Sequence, residues 1–280
     1  MSEVETSGTL YVVATPIGNL DDISTRAQNV LQNVQIIAAE DTRRTTRLLA
    51  HLDVKPPKIV SLHEHNELRV APRLIQALVA GNSVALVSDA GTPLLNDPGF
   101  PLLKLAYEHH VAVVPVPGAS SITALLSVCP LPCQPFRYIG FLPSKAQARL
   151  RVLNDCLGRA EATVFLESPH RIAHTLQALA GLSERALCIG RELTKQYETV
   201  MVGSAEEILA QGLAERGEFT VVMAAMPESG NSGSVDARKL MQILCAELAP
   251  SQAARLGAAI CGEKKSKLYE LALSIGDAAG

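Results

Sequence analysis

Ser83-Val-Ala-Leu-Val-Ser-Asp-Ala-Gly-Thr-Pro-Leu-Leu-Asn-Asp-Pro-Gly99 decides the fold in two steps. Its first part, Ser83 to Ser88, is short, apolar and valine-rich, the pattern of a parallel strand buried on both faces. Its second part is a loop in which Gly91 and Gly99 permit tight backbone turns. A buried strand that runs into such a loop puts polar atoms at the carboxyl edge of a sheet, where α/β proteins hold ligands. Asp89 can offer its carboxylate there to a ribose hydroxyl or an ammonium group, while the loop backbone hydrogen-bonds a polar ligand.

The same rhythm continues on both sides. Strands are expected at Thr9 to Ala14, Val34 to Ala38, Ile59 to Leu62 and Val111 to Pro115. Helices are expected after Asp21 and Asp22, through Leu48, from an Asn66 cap with Ala71, Leu74, Ile75 and Leu78 as apolar face, and from Phe100 to His109. This βαβ alternation predicts an αβα domain over residues 1–118. A second αβα domain, 119–226, begins with a helix from Ser120 to Val128 and crosses the proline-rich Cys129 to Pro135. Its strands are expected near Tyr138, Val164 and Leu187, with antiparallel stretches at Thr194 to Val202 and Gly217 to Ala225 closing the sheet. Pro227 to Ser234 reads as a linker by composition. Residues 235–280 carry three helical patterns, the second opened by Ser251 and the third running from Glu263 to Ile275.

Composition agrees with an α/β chain. Of 280 residues, 48% are hydrophobic and only 19% charged, which excludes a disordered protein. The net charge of −3 gives no global basic field, so any contact with nucleic acid must be local and shape-dependent. Met1 to Gly8 is acidic and polar, unlike a secretory signal, and no apolar stretch is long enough to cross a bilayer. A cytoplasmic location is expected, with Cys129, Cys133, Cys156, Cys188, Cys245 and Cys261 as reduced thiols.

Three more loops follow strands as the Asp89 loop does: Thr15-Pro-Ile-Gly-Asn19, Pro117-Gly-Ala-Ser-Ser121 and Glu167-Ser-Pro-His-Arg171. Together they can line one cleft. No Gly-x-Gly occurs anywhere, which removes the dinucleotide Rossmann loop, and no phosphate loop of the GxxxxGK type is present. His63-Glu-His65 puts two imidazoles on one face of an extended chain, but no third ligand is evident, so no metal is expected. His170 and His174 have the i, i+4 spacing of a zinc protease, yet Arg171 stands where its glutamate would be.

Ala14-Thr-Pro-Ile-Gly-Asn-Leu20, Ala39-Glu-Asp-Thr-Arg43, Ser61-Leu-His-Glu-His-Asn66, Ser88-Asp-Ala-Gly-Thr-Pro93, Val116-Pro-Gly-Ala-Ser-Ser121, Glu167-Ser-Pro-His-Arg171 and Gly190-Arg-Glu-Leu-Thr-Lys195 occur in that order. In these motifs the chain resembles the tetrapyrrole-methylase superfamily of S-adenosylmethionine-dependent enzymes, and within it the branch that 2′-O-methylates a decoding-centre cytidine of 16S rRNA. The resemblance covers nearly the whole chain. It implies a tetrapyrrole-methylase-like α/β fold with a cofactor cleft between two αβα domains, plus a small helix-turn-helix-like C-terminal domain. It also implies cofactor contacts from Pro16, Asp89, Ala90, Gly91, Thr92, Leu94, Ser120 and Ser121, with Leu166 and Met223 on the second side. Relatives pair as homodimers, and the low net charge does not oppose pairing.

Methyl transfer to a ribose hydroxyl needs alignment and a place for the hydroxyl proton. Glu40, Asp41, Arg43, His63, Glu64, His65, Glu167, His170, Arg171, Arg191, Glu192 and Lys195 are the polar candidates at strand ends. Glu192 with Lys195 is the first choice for proton handling, with Arg191 and Glu167 beside them. Glu40 and Asp41 equally suit the first turn of a helix. Arg43, His63, His65, His170 and Arg171 are candidate RNA contacts, as are Arg255, Lys264, Lys265 and Lys267 in the tail. The tail carries six basic against five acidic residues from Asp236 onward, so a solvated face competes with RNA docking there. Two rival readings stay open on residues alone: a tetrapyrrole or other small-molecule methyltransferase, and an RNA-binding module without catalysis.

Overall fold

A computed structural model describes residues 7–55, 57–226 and 237–277, and the chain divides into two compact units, 1–226 and 227–280. The first unit holds two five-stranded sheets. Strands β1 (Thr9–Val13), β2 (Ile36–Ala39), β3 (Lys58–Ser61), β4 (Val84–Val87) and β5 (Ala112–Val116) form an all-parallel sheet in the order β3-β2-β4-β1-β5. Helices α1 (Thr25–Asn33), α2 (Thr42–His51), α3 (Glu67–Val79) and α4 (Phe100–Glu108) connect them.

Burial explains why these segments become strands. β2 and β4 are buried at every position, as a central parallel strand covered on both faces must be. Alternate residues feed two cores: Leu10, Leu86, Leu74, Leu78 and Leu102 on one face, Val13, Ile37, Leu31, Leu49 and Val87 on the other. The strand expected from Val34 begins at Ile36, because the Val34 amide closes α1 on the Val30 carbonyl at 3.1 Å. Asn66 stands at the start of α3, but its side chain accepts from the His63 amide at 2.9 Å and leaves the helix amides uncapped.

The second sheet runs β6 (Phe136–Phe141), β7 (Ala162–Glu167), β10 (Phe219–Met223), β8 (Leu187–Arg191), β9 (Thr199–Gly203). β6 and β7 are parallel and the other pairs antiparallel. α5 (Ser121–Val128) packs against β10 and β8, and α6 (Ala146–Leu157), α7 (Ile172–Ala180) and α8 (Ala205–Ala210) complete this half. The extended stretch expected from Thr194 starts only at Thr199. Glu192 (φ 51°) and Thr194 (φ 66°) adopt left-handed backbone, and the Lys195 amide closes a turn on the Glu192 carbonyl at 2.9 Å. Likewise Gly217 (φ +91°) belongs to the turn before β10, not to the strand.

In the second unit, α9 (Ala237–Glu247), α10 (Pro250–Cys261) and α11 (Lys265–Asp277) pack around Met241, Ala253, Ala254, Leu268 and Ala272. Gly257 lets α9 approach, since a Cβ there would lie 2.8 Å from the Met241 sulfur. The expected linker, Pro227 to Ser234, lies outside the described residues. No helix among the described residues is long and apolar enough to cross a membrane.

Candidate functional site

The carboxyl ends of β1, β2, β4 and β5 open into a cavity of about 440 Å³ that the second sheet covers. The β4 loop is held rigidly at its rim. Gly91 (φ +83°) exchanges two backbone hydrogen bonds with Thr15 of the β1 loop, at 2.9 and 3.0 Å, and the Thr92 hydroxyl donates to the Ala119 carbonyl of the β5 loop at 3.2 Å. Asp89 is fixed from three sides. Its amide donates to Glu40 Oε2 at 3.2 Å, its Oδ1 accepts from the Asp41 amide at 2.9 Å, and its Oδ2 lies 3.5 Å from Arg44 Nε.

Leu94 (φ 72°) and Asn96 (φ 74°) hold the rest of this loop in left-handed backbone, a cost that a packed surround must offset. The loop turns Asn96 and Asp97 into the cavity. Burial pushes the Asp97 carboxyl up to about 6; a hydrogen bond from Ser88 opposes the rise, while the charges of Glu40 and Asp89 add to it. Burial also raises the Glu40 carboxyl, against the Asp89 amide that stabilises its charge. From the second sheet, the Tyr138 hydroxyl donates to Asn96 Oδ1 at 2.7 Å. Burial and then Asp97 push that phenol up to about 12. Gly140 (φ +70°) makes the approach possible, because a Cβ there would sit 2.5 Å from Asn96 Nδ2.

A second cavity of about 260 Å³ adjoins the first. Ile17, Arg44, Asp89, Ala90 and Glu218 line both, and the second adds Pro16, Thr45, Arg47 and Lys195. The β1 loop meets the turn before β9 here: a Cβ on Gly18 would fall 2.4 Å from Lys195 Cγ, and the Asn19 amide donates to Thr194 Oγ1 at 3.0 Å. Lys195 Nζ lies 3.0 Å from Glu192 Oε1 and 3.1 Å from Glu218 Oε2. Burial works against its charge, but the two carboxylates prevail and raise its pKa. Glu192 is lowered in turn, because Lys195 and the Glu218 amide outweigh its own burial.

Of the expected cofactor residues, Asp89, Ala90, Gly91, Thr92, Ser120, Ser121 and Leu166 line the first cavity and Pro16 the second. Two expectations are corrected. Leu94 packs against the core of the first sheet near Leu86 and Gly99, so Leu95 and Asn96 face the cavity instead. Met223 is fully buried with Val221 in the core on the far face of β10; strand alternation gives the cavity side to Thr220 and Val222, and Thr220, with Phe219 at the strand's start, lines the cavity.

Among the expected catalytic residues, Lys195 reaches the second cavity, whereas Glu192 and Arg191 line neither. Glu192 holds Lys195, and Arg191 donates to the Arg216 and Tyr197 carbonyls. Glu167 lines the first cavity but is 1% exposed, and its carboxylate accepts from Arg171 Nε (2.9 Å), Thr175 Oγ1 (2.8 Å) and the Ser168 amide (2.7 Å). Two of these donors fall on Oε1 and one on Oε2, so the buried carboxylate anchors Arg171 and Thr175. Arg43 is clamped on Asp41, His63 and His65 pack ring edge to face at 5.9 Å, and none of them, nor His170 or Arg171, lines either cavity. Arg255, Lys264, Lys265 and Lys267 lie in the second unit, where Lys267 pairs with Glu263 at 3.1 Å. No group of three or more His, Cys, Asp or Glu among the described residues is arranged to hold a metal ion.

Sequence reasoning missed Arg44, Asn96, Asp97, Tyr138 and Glu218. Asn96-Asp-Pro-Gly99 reads as plain turn chemistry, which hides Asp97, and nothing local marks Tyr138 or Glu218.

The family model for Tetrapyrrole (Corrin/Porphyrin) Methylases matches residues 9–209, and that for the RsmI C-terminal HTH domain matches residues 231–276. The chain is 45% identical to ribosomal RNA small subunit methyltransferase I of Neisseria meningitidis serogroup B, over 98% of this chain and 96% of that one. It is 43% identical to the protein of the same name from Xylella fastidiosa (strain Temecula1), over 95% and 99%. In structure it is similar to uroporphyrin-III C-methyl transferase from Thermus thermophilus complexed with S-adenyl homocysteine, with a TM-score of 0.53 and 17% identity over 77% of this chain and 97% of that one.

Proposed function

The chain belongs to the ribosomal RNA small subunit methyltransferase I branch of the tetrapyrrole methylases, and from that premise we propose that it methylates the ribose 2′-hydroxyl of a decoding-centre cytidine in 16S rRNA, using S-adenosylmethionine. The observation that carries this reading is the pair of adjoining cavities whose unshared charged residues are of opposite sign. Arg44, Asp89 and Glu218 are common to both; Glu40 and Asp97 add acidic groups to the larger one, which suits a cation, and Arg47 and Lys195 add basic groups to the smaller one, which suits a polyanion.

The residues of the larger cavity fit the cofactor. Its volume falls within the range of small-molecule sites, its walls mix Ile17, Ile122 and Leu166 with carboxylates, and Gly91 leaves room where a Cβ would press on Ile17 at 3.3 Å. Asp89, Ala90, Thr92, Ser120, Ser121 and Leu166 would hold it, with Pro16 at the edge and Asn96 and Asp97 across from it. When bound, S-adenosylmethionine supplies an electrophilic methyl group for in-line displacement.

The chain's own task is to orient the acceptor hydroxyl and take its proton. Lys195, kept charged by Glu192 and Glu218, stabilises negative charge that develops on the acceptor oxygen. Glu218 lines both cavities and is the carboxylate placed to receive the proton; Glu192 positions Lys195. Arg43, His63, His65, His170 and Arg171, outside both cavities, are assigned to RNA around the entrance.

The protein acts as a cytoplasmic homodimer on the small subunit. Phe100 and Tyr107, on one face of α4 by their i, i+7 spacing and each 67% exposed, support pairing, since large apolar side chains are seldom left together in water. Residues 1–118 and 119–226 are read as the two domains that flank the cofactor, and 235–280 as the RNA-docking tail.

Tritium transfer from labelled cofactor to isolated small subunits, followed by mass spectrometry of the rRNA digest, tests the reading. One 2′-O-methylated cytidine is expected, and Asp89→Ala should weaken cofactor binding about 10–100-fold by calorimetry, the cost of losing a charged hydrogen-bonding partner. Methylation on a base, or no transfer to rRNA, rejects it.

A further inference from the structure

We infer that the smaller cavity is a phosphodiester subsite, in which Arg47 and Arg44 of α2, with Lys195, grip the RNA backbone beside the nucleotide being methylated. The inference rests on the functional reading above and adds to it the residues that recognise the acceptor strand.

The cavity is lined by Arg44, Thr45, Arg47 and Leu48, which share one side of α2 by their helical spacing. The three arginines of this helix end differently. Arg43 spends two guanidinium nitrogens on Asp41, at 2.7 and 3.1 Å, and points to solvent. Arg44 touches Asp89 only through Nε at 3.5 Å, which leaves its terminal nitrogens free to bind elsewhere. The Arg47 side chain makes no hydrogen bond or ion pair with any described residue, though it stands at the cavity wall. A guanidinium offers five donors in a planar fork that matches the oxygens of a phosphate.

Charge and size point the same way. Of the three cations in its wall, Arg44 lies against Asp89, and Lys195 against Glu218 and Glu192. Arg47 alone of the three has no carboxylate partner among the described residues. At about 260 Å³ the cavity is below the usual size for a whole ligand, as suits a subsite that takes one segment of a longer chain. Its common wall with the larger cavity, Ile17, Arg44, Asp89, Ala90 and Glu218, brings a backbone seated here next to the place of transfer. A protein with a net charge of −3 has little general attraction for RNA, so a local cationic grip of this kind must supply it.

The test uses the full-length protein with Arg47→Ala, Arg47→Glu and Arg47→Lys. Arg47 is exposed and unpartnered, so the variants should fold as the parent does. Arg47→Ala is expected to raise KM for small subunits about tenfold, the worth of one charged hydrogen bond to a phosphate, and Arg47→Glu more. Arg47→Lys should recover most of that affinity. The slope of log affinity against log salt should flatten by about 0.7–0.9, one phosphate neutralised. Cofactor affinity by calorimetry should stay within about twofold, less than one charged hydrogen bond is worth. An active parent whose Arg47 variants keep KM and salt slope overturns the subsite alone. A drop in cofactor affinity in Arg47→Ala overturns it too, by giving the cavity to the cofactor. A parent that transfers no methyl group to rRNA overturns the functional reading and this inference with it.

Discussion

The Tyr138 hydroxyl reaches across the cleft to Asn96 Oδ1 at 2.7 Å, so one side chain of the second sheet fastens the loop that carries Asp97. Neither partner is a charged group, and the loop it fastens holds Leu94 and Asn96 in left-handed backbone. The bond therefore keeps a strained segment in the one conformation that presents Asn96 and Asp97 to the cavity.

Tyr138→Phe removes this bond and keeps the ring. Stability should fall by about 0.5–1.5 kcal/mol in urea denaturation, the net value of a neutral hydrogen bond. Cofactor affinity should drop about threefold to tenfold, as the loop samples other conformations. Unchanged affinity with the expected fall in stability would show that the bond supports the fold but not the site.

Asp97 predicts a pH dependence of definite sign. Its folded pKa is raised to about 6 from an ordinary value near 3.8, so between those two values the folded chain holds a proton that the unfolded chain has released. The contribution of this group is full below the unfolded pKa and is lost as pH rises through about 6. For a cationic ligand the order reverses, because only ionised Asp97 attracts it, so affinity for S-adenosylmethionine should climb as pH passes 6 and then level. Calorimetry from pH 5 to 8 on the parent and on Asp97→Asn checks both; a variant with the parent's profile removes Asp97 as the cause.

Much of this architecture was legible because burial writes itself into sequence. β4 is apolar at four successive positions and is buried at all four; the α3 face Ala71, Leu74, Ile75 and Leu78 is buried as its spacing requires. Side-chain direction was harder to read. Met223 and Thr220 differ by three positions on one strand and therefore face opposite sides, which no motif reveals until the strand's register is known. Thr194 to Glu198 is composed like a strand, but its conformation is set by left-handed Glu192 and Thr194 and by the closeness of Gly18, which is remote from it in sequence. Tyr138 and Glu218 become site residues only through tertiary approach, so their chemistry has no local signature.

Lys195 and Glu218 should separate binding from chemistry. Lys195→Met removes the ammonium that two carboxylates hold charged, and kcat should fall about 10²–10³-fold if that charge stabilises the acceptor oxygen. Glu218→Gln keeps shape but cannot take a proton, and should lower kcat about 10²-fold and alter the acid limb of the kcat profile. Both should bind S-adenosylmethionine within about twofold of the parent, since neither removes a full charged hydrogen bond to it. An effect confined to KM, with kcat intact, would place the pair in RNA binding alone.

The second unit tests how docking is divided from catalysis. Its three helices have their own core around Met241 and Leu268, so removal of residues 235–280 takes away a self-contained body rather than part of either sheet. If that body serves to bring rRNA near the cleft, it raises local substrate concentration without changing cleft geometry. The truncated protein should then keep its affinity for S-adenosylmethionine while turnover on small subunits drops about tenfold or more, the lower end of what a linked second binding module provides. Replacing Lys264, Lys265 and Lys267 with Ala should reproduce part of that drop and flatten the salt slope by about 2–3, as for three phosphates on duplex-like RNA. Lys267 should contribute least of the three, because Glu263 already holds it at 3.1 Å. If truncation abolishes cofactor binding as well, the tail supports the cleft or the dimer, and its lysines are a solvated face.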